Sequence, residues 1–356
     1  MKRFSPQHFN FKIGEENAFP FGWLIIGILA FIALFSTFAH GQTVSRVESV
    51  GFTVSDMEKA IDFYTHVLPF EKISDTETFG TEFEHLSGVF GARVRIVRLK
   101  LGNETLELTE YLTAGGRPIP LDSRSNDKWF QHIAIIVSDM DKAFEVLRKN
   151  KVPFASTAPQ TLPKTIPNAA GISAFYFKDF DNHILEILHF PPDKGAKKWH
   201  DLANTGQLFL GIDHTAIVVG DSEQSMKFYR DSLGLTVAGT SDNFGNEQEH
   251  LNNVFGAKLH ITNLGTKEDG IHVEFLEYLA PRDGKPFPPV TKSNDVWHWQ
   301  TTFAANQLNP LADVLSKNKF DFISSGVIDF NGNKLGFQRA LLVRDTDGHA
   351  VRIIEK

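Results

Sequence analysis

An internal duplication is the feature that most constrains the fold of this chain. Residues 82–92 read EFEHLSGVFGA, and residues 247–257 read EQEHLNNVFGA. The segment SNDKW at 125–129 returns as SNDVW at 293–297. The two pairs of segments are separated by nearly the same length of chain, which indicates one duplication with small changes in the loops. Self-similarity of this kind predicts a fold built from repeated structural units.

Each half of the duplication divides again into two similar segments. SVGFTVSDMEKAIDFY begins at residue 49, QHIAIIVSDMDKAFEVL at 131 and DHTAIVVGDSEQSMKFY at 213, and HWQTTFAANQLNPLADVL at 298 is a weaker fourth copy. The first three read as an apolar strand, an aspartate helix cap and an amphipathic helix. Three strand-like segments with period-two patterning follow each helix. The sequence therefore predicts an α+β fold of four βαβββ modules.

The duplication also predicts the domain boundaries. We expect one domain over residues 44–190 and a second over residues 209–356. The stretch between them, residues 191–208, is polar and contains proline and glycine, which is typical of a linker. Residues 1–41 precede the repeated part and are expected to be a separate leader.

The leader is predicted to direct export. Trp23 to Phe38 is almost wholly apolar, and the basic residues Lys2, Arg3 and Lys12 lie upstream of it. An A-x-G sequence ends at Gly41, which allows cleavage of a signal peptide before Gln42. Retention of residues 20–39 as a membrane anchor is the alternative. Both alternatives predict a periplasmic or other extracytoplasmic protein whose membrane contact is confined to this segment.

Charge and cysteine content exclude several classes of function. The formal charge of the whole chain is −7, and the first 41 residues carry +1, so the remainder carries −8. This balance argues against nucleic acid as a partner. The absence of cysteine excludes disulfides, thiolate metal sites and cysteine nucleophiles. A small-molecule substrate is expected, and the sequence does not indicate an oligomer.

Two histidine–glutamate pairs are the strongest candidates for a functional site. His132 and Glu186 belong to the second module, and His214 and Glu274 belong to the third. In each pair the histidine lies at the start of a module and the glutamate lies in its last strand. Two imidazoles and two carboxylates can together bind one divalent metal ion and leave positions open for a substrate.

The module pattern resembles the vicinal oxygen chelate superfamily. The pattern is a histidine, four residues, valine, one residue, aspartate and then a helix that ends in Phe-Tyr, as in the segment from His214 to Tyr229. The superfamily includes glyoxalase I, extradiol dioxygenases and antibiotic-resistance proteins. The resemblance implies that paired modules close into a half-barrel around a metal ion. It also implies one ligand from the first strand and one from the last strand of each module.

The same positions in the other two modules are occupied by poorer ligands. The first module offers Ser49 and Glu107, and the fourth offers Gln300 and Arg352. A guanidinium stays protonated and cannot ligate a metal. We therefore expect the second module to pair with the third around the metal, and the first with the fourth, where Glu107 and Arg352 form an internal ion pair. The alternative is pairing of modules in sequence order.

The resemblance to glyoxalase I implies a metal-dependent lyase or isomerase. One divalent ion per chain (zinc, nickel, manganese or iron) would stabilise an enolate-like intermediate, and either Glu186 or Glu274 would be the catalytic base. There are two alternatives. The first is a protein that binds a small molecule without catalysis, and the second is an extradiol-type dioxygenase. Trp129, Trp297 and Trp299 are expected to pack between modules, although one of them could line a pocket.

Overall fold

The computed structural model describes residues 44–288, 290–330, 332 and 334–356. The leader expected over residues 1–41 lies outside these described residues. Within them, no helix is long and apolar enough to cross a membrane. The described residues between 44 and 356 belong to one compact unit.

The first two modules are a longer and a shorter variant of one plan. In the first, a single π-helical turn, Phe63–Val67, extends the first helix. Its elements are β1 (Val44–Val54), α1 (Met57–Asp62), β2 (Glu71–Phe79), α2 (Thr81–Ser87), β3 (Arg93–Leu101) and β4 (Glu104–Tyr111). Those of the second are β5 (Gln131–Val137), α3 (Met140–Lys149), β6 (Gln160–Thr161), β7 (Ser173–Lys178) and β8 (Ile184–His189). Helix α4 (Lys197–Ala203) follows within the segment expected to be a linker.

The last two modules repeat these two variants in the same order. The third contains β9 (Phe209–Val219), α5 (Ser222–Tyr229), β10 (Thr236–Phe244), α6 (Asn246–Asn252), β11 (Lys258–Gly265) and β12 (His272–Ala280). The fourth contains β13 (Trp299–Ala305), α7 (Leu308–Lys317), β14 (Ile328–Asp329), β15 (Arg339–Arg344) and β16 (Ala350–Glu355). The two variants differ by the extra helix between the second and third strands, α2 or α6, which the sequence analysis did not predict.

An aspartate side chain caps the first helix of each of the first three modules, as the sequence predicts. The side chains of Asp56, Asp139 and Asp221 each accept a hydrogen bond from a backbone N–H in the first turn of the helix that follows. The equivalent residue before α7 is Gln307, which makes no such side-chain bond. This loss of the cap is one reason why the fourth copy of the pattern is the weakest.

The two sheets combine modules from opposite halves of the sequence. One has eight strands in the order β14-β15-β16-β13-β1-β4-β3-β2, and the other has the order β10-β11-β12-β9-β5-β8-β7-β6. At the centre of each, two strands pair antiparallel, β1 with β13 and β5 with β9. The first module therefore pairs with the fourth and the second with the third, which confirms the crossed arrangement.

Buried polar links and a shared core join the two sheets. The Tyr64 hydroxyl of the first module donates to Asp179 of the second at 3.1 Å, and Tyr229 of the third donates to Asp345 of the fourth at the same distance. The main apolar core contains residues of all four modules, including Phe52 and Phe275. Each half thus contributes one module to each sheet and ties the sheets together.

Because both central strand pairs join the halves, neither half is expected to fold as an isolated monomer. Separate expression of residues 44–208 and 209–356 should give fragments without a cooperative thermal transition by circular dichroism, and mixing them should restore one. The result that contradicts this is a monomeric 209–356 fragment, with its mass checked by light scattering, that unfolds cooperatively on its own.

Candidate metal centre

The two histidines lie side by side at the centre of the second sheet. In the antiparallel pairing of β5 with β9, His132 lies opposite Ala216 and His214 lies opposite Ala134. The histidines are therefore offset by two positions on neighbouring strands, and alternation along a strand places them on one face. The imidazole ring centroids are 5.6 Å apart.

The outer neighbours of these strands supply the glutamates. Strand β8 pairs parallel with β5 so that Glu186 lies beside Ala134, and β12 pairs parallel with β9 so that Glu274 lies beside Ala216. The last strand of each module is thus the one next to its first strand. This is why a histidine and a glutamate that are far apart in sequence meet.

The four side chains converge, but not equally. His132 Nε2 is 3.2 Å from Glu186 Oε2, and His214 Nε2 is 3.6 Å from the same oxygen. Glu274 Oε1 is 3.7 Å from His214 Nε2. His132, Glu186 and His214 each offer a ligand atom within 4.8 Å of the others. Glu274 lies beside this trio and contacts one of its two histidines, His214.

The donor atoms fit a metal ion better than they fit one another. Both ring nitrogens of His132 and Nε2 of His214 are buried without a hydrogen-bond partner. Buried polar atoms are nearly always hydrogen-bonded, so the two orphan Nε2 atoms, which both lie against Glu186 Oε2, call for a ligand. Two imidazole nitrogens and a carboxylate oxygen are the donors used for zinc and other divalent first-row metals.

Comparison with known proteins identifies the family. The sequence profile of the glyoxalase/bleomycin resistance protein/dioxygenase superfamily matches residues 46–187 and 211–353. The chain belongs to this superfamily. A curated relative, 2-epi-5-epi-valiolone epimerase from an Actinomyces species, is 31% identical over 156 residues, which cover 41% of this chain and 79% of the relative.

Solved structures of the superfamily share the fold over most of this chain. Glyoxalase I from Zea mays has a TM-score of 0.55 at 15% identity, with 87% of this chain and 92% of that chain covered. A putative dioxygenase from Bacillus subtilis has a TM-score of 0.53 at 12% identity, with 88% and 86% covered. Identities this low show the fold alone.

Within this superfamily fold, a partly buried hydrogen-bond chain orients one histidine. Asp213 Oδ2 lies 3.0 Å from His214 Nδ1, and Trp199 Nε1 donates to Asp213 Oδ1 at 2.7 Å. A carboxylate on the far nitrogen of a metal-binding histidine fixes its tautomer and ring orientation. Trp199 comes from α4, so the segment between the halves contributes to the site. Sequence reasoning missed Asp213, although the adjacent Asp-His at 213–214 was a signal.

The surrounding carboxylates hold a proton on His214 in the absence of a metal ion. Burial alone would lower its pKa, but Glu274, Asp213 and Glu186 together raise the pKa of His214 to about 10. The pKa of Glu274 is raised, mainly because burial penalises its charged form. A histidine must be neutral to ligate, so a divalent ion has to displace this proton.

A cavity of about 450 Å³ opens over the cluster. Glu186, His214 and Glu274 form part of its wall, and His132 lies beneath Tyr176, with ring centroids 4.9 Å apart. The amide side chains that line the cavity are Asn168, Asn243, Gln248 and Asn263. The site therefore has both ligand atoms and room for a small polar molecule.

The equivalent position in the first sheet contains an ion pair. Arg352 Nη1 is 2.8 Å from Glu107 Oε1, as the sequence predicts, and Arg98 Nε donates to Glu107 Oε2 at 3.0 Å. Burial would raise the pKa of Glu107, but the two guanidiniums lower it to about 2. Gln300 lies nearby, 3.4 Å from His298. Across the described ranges, no second metal-binding group is present.

The purified protein is expected to bind one divalent ion per chain, measured by elemental analysis. His214→Ala should abolish binding, because it removes one of only three converging donors. Zinc binding followed by calorimetry should release protons at neutral pH, and its apparent affinity should increase with pH until His214 loses its proton near pH 10.

Gln300→Ala is the matched control, since Gln300 occupies the position in the first sheet that His132 occupies in the second. It should leave metal content unchanged. Retention of the ion by His214→Ala, or its loss from Gln300→Ala, would show that the metal binds elsewhere.

Proposed function

We propose that this protein is a metal-dependent isomerase that moves a proton at a carbon next to a carbonyl group. The observation that carries the proposal is the unequal placement of the two glutamates. Both glutamates line the cavity, but Glu186 contacts both histidines, whereas the one histidine that Glu274 contacts is His214. Membership of the superfamily and the resemblance to an epimerase support an isomerase over other reactions.

His132, Glu186 and His214 would hold the ion. When bound, a divalent ion supplies a Lewis acid that stabilises negative charge as it develops on a substrate oxygen. Asp213 keeps the Nδ1 proton of His214 in place, which leaves Nε2 facing the ligand position.

Glu274 is the proposed catalytic base. Its carboxylate lies at the edge of the ligand cluster and is free to face the substrate, whereas that of Glu186 lies between the two histidines. Burial raises the pKa of Glu274 above the ordinary value for a glutamate. A higher pKa makes a carboxylate a stronger base towards a carbon-bound proton. Glu274 would accept that proton and return it to the substrate.

The cavity wall favours a small hydroxylated substrate. Three of its four amide side chains, Asn168, Asn243 and Gln248, already donate to other groups of the protein, but each amide has a second N–H and further lone pairs that can bond substrate hydroxyl groups. Tyr176 stays neutral because burial raises the pKa of its phenol. Among the described residues that line this cavity, Lys194 is the only lysine, and there is no arginine. Such a wall suits a substrate with several hydroxyl or carbonyl groups better than one with several phosphates.

An iron-dependent dioxygenase is the second candidate. Two histidines and one carboxylate with open positions are the ligand set of non-haem iron oxygenases, and His132, His214 and Glu186 match that set. The position of Glu274 beside His214 favours the isomerase, because the ligand set of an iron dioxygenase does not require an additional carboxylate base. Oxygen uptake by the iron-loaded protein with catechols separates the two candidates.

Glu274→Gln is expected to slow proton transfer strongly while it retains the metal. In deuterated water, the metal-loaded protein should incorporate deuterium next to the carbonyl of hydroxyketones or of a methylglyoxal hemithioacetal, followed by NMR. Loss of a general base should reduce the rate by a factor of about 10² to 10⁴.

Glu223→Gln is the control, because Glu223 is an exposed glutamate on α5. It should exchange at the original rate. Full activity in Glu274→Gln would exclude Glu274 as the base. Saturable binding of these compounds without any exchange would instead indicate a protein that binds without catalysis.

We also propose that the protein acts outside the cytosol. The support is the apolar run Trp23 to Phe38 with basic residues upstream. Export would separate the protein from cytosolic thiols, which makes a hydroxyketone a better candidate substrate than a thiol adduct. Mass spectrometry of the mature N-terminus should show Gln42 after cleavage or the intact leader in a membrane-anchored form, and an intact leader in the soluble fraction would contradict export.

A further inference from the structure

A second cavity lies between the two halves of the sequence and is distinct from the cavity over the metal cluster. Its volume is about 170 Å³, and it shares no lining residue with the cavity over the metal site. The two copies of the SNDxW segment contribute Trp129 and Trp297 to its wall, and the strands that follow contribute Gln131 and Trp299. Tryptophans expected to pack between modules thus also line a pocket.

Two side-chain donors in this wall have no partner. Trp299 Nε1 and Gln131 Nε2 are buried and make no hydrogen bond, and each of these residues is only 4% exposed. The two residues occupy equivalent positions of the duplication, since each follows the tryptophan of its SNDxW segment by the same interval. By contrast, Trp129 and Trp297 donate to Ser123 and Thr291, respectively. Leaving a buried donor unpaired costs about 1–3 kcal/mol, so the two orphan donors point to an acceptor that a ligand supplies.

One cation at this cavity is also unpaired. Lys178, at the end of β7, lines the cavity and has no ion pair within the described part of the chain. The other two basic side chains in the wall are already paired, Arg124 with the carboxylate and carbonyl of Asp283, and His183 with the carboxylate of Asp179. Lys178 is therefore the group available to bind a negative charge.

The size and walls of the cavity limit the ligand. An apolar cavity of about 150 Å³ binds a benzene ring in a well-studied engineered protein, so about 170 Å³ accommodates one ring with a small substituent. Indole and phenyl walls favour a flat ring through offset stacking or edge contacts. Trp299 is itself held rigidly, because it stacks on Phe52 with ring centroids 4.5 Å apart.

We propose that this cavity is a binding site for a monocyclic aromatic carboxylate. The ring lies among the aromatic side chains, the carboxylate accepts from Trp299 Nε1 and Gln131 Nε2, and Lys178 balances its charge. The site is separate from the metal centre but adjacent to it, because the ring of Phe130 lines this cavity and also contacts His132, with ring centroids 5.7 Å apart.

Titration of the purified full-length protein with benzoate tests the proposal. Tryptophan fluorescence and calorimetry should show saturable binding of one benzoate per chain. Trp299→Phe keeps an aromatic ring but removes the donor, and should weaken binding about five- to tenfold. Lys178→Met should weaken benzoate binding by a similar factor while it leaves benzamide, which keeps the carbonyl acceptor without the charge, almost unchanged.

Two controls separate this site from the metal site and from nonspecific attraction. Lys317→Met removes an exposed lysine on α7 and should not change benzoate binding. Glu186→Gln, which alters the metal cluster, should also leave a benzoate site intact. The proposal is wrong if benzoate does not bind, if Trp299→Phe and Lys178→Met bind it as the original protein does, or if binding is lost in Glu186→Gln. None of these results bears on the isomerase proposal, which depends on Glu274.

Discussion

The antiparallel pairing of β5 with β9 is the interaction on which the site depends. It joins the two halves of the sequence at the centre of one sheet and places His132 and His214 on one face, two positions out of register. A shift of one position would turn one imidazole to the opposite face and separate the donors. The parallel strands on either side then bring Glu186 to a position between the histidines and Glu274 to a position beside His214.

Much of this could be predicted because the chain repeats itself. The aspartate caps and alternating strands defined the modules, and their equivalence aligned Ser49, Glu107, Gln300 and Arg352 with the candidate metal ligands. Arg352 decided the pairing, since a fixed cation cannot ligate a metal. The structure contains the expected ion pair between Arg352 and Glu107 at 2.8 Å. Because Arg352 argued against pairing of modules in sequence order, it led to the correct prediction of which modules share a sheet.

Two features of the site could not be predicted from the repeats, because they depend on distances in the folded chain. Trp199 lies in a polar stretch that reads as a linker, yet it folds as part of α4 and donates to Asp213. The difference between Glu186 and Glu274 is also invisible in sequence, because both occupy the same position of their modules. Only the geometry shows that one carboxylate lies between the histidines and the other beside them.

X-ray absorption spectroscopy of the zinc-loaded protein tests the central claim most directly. The account predicts a first shell with two imidazole nitrogens at about 2.0–2.1 Å, at least one carboxylate oxygen at about 2.0–2.2 Å, and the outer-shell scattering of two histidine rings. A shell of oxygens with one imidazole or none would contradict it, because the paired strands would then not bring His132 and His214 to a common ion.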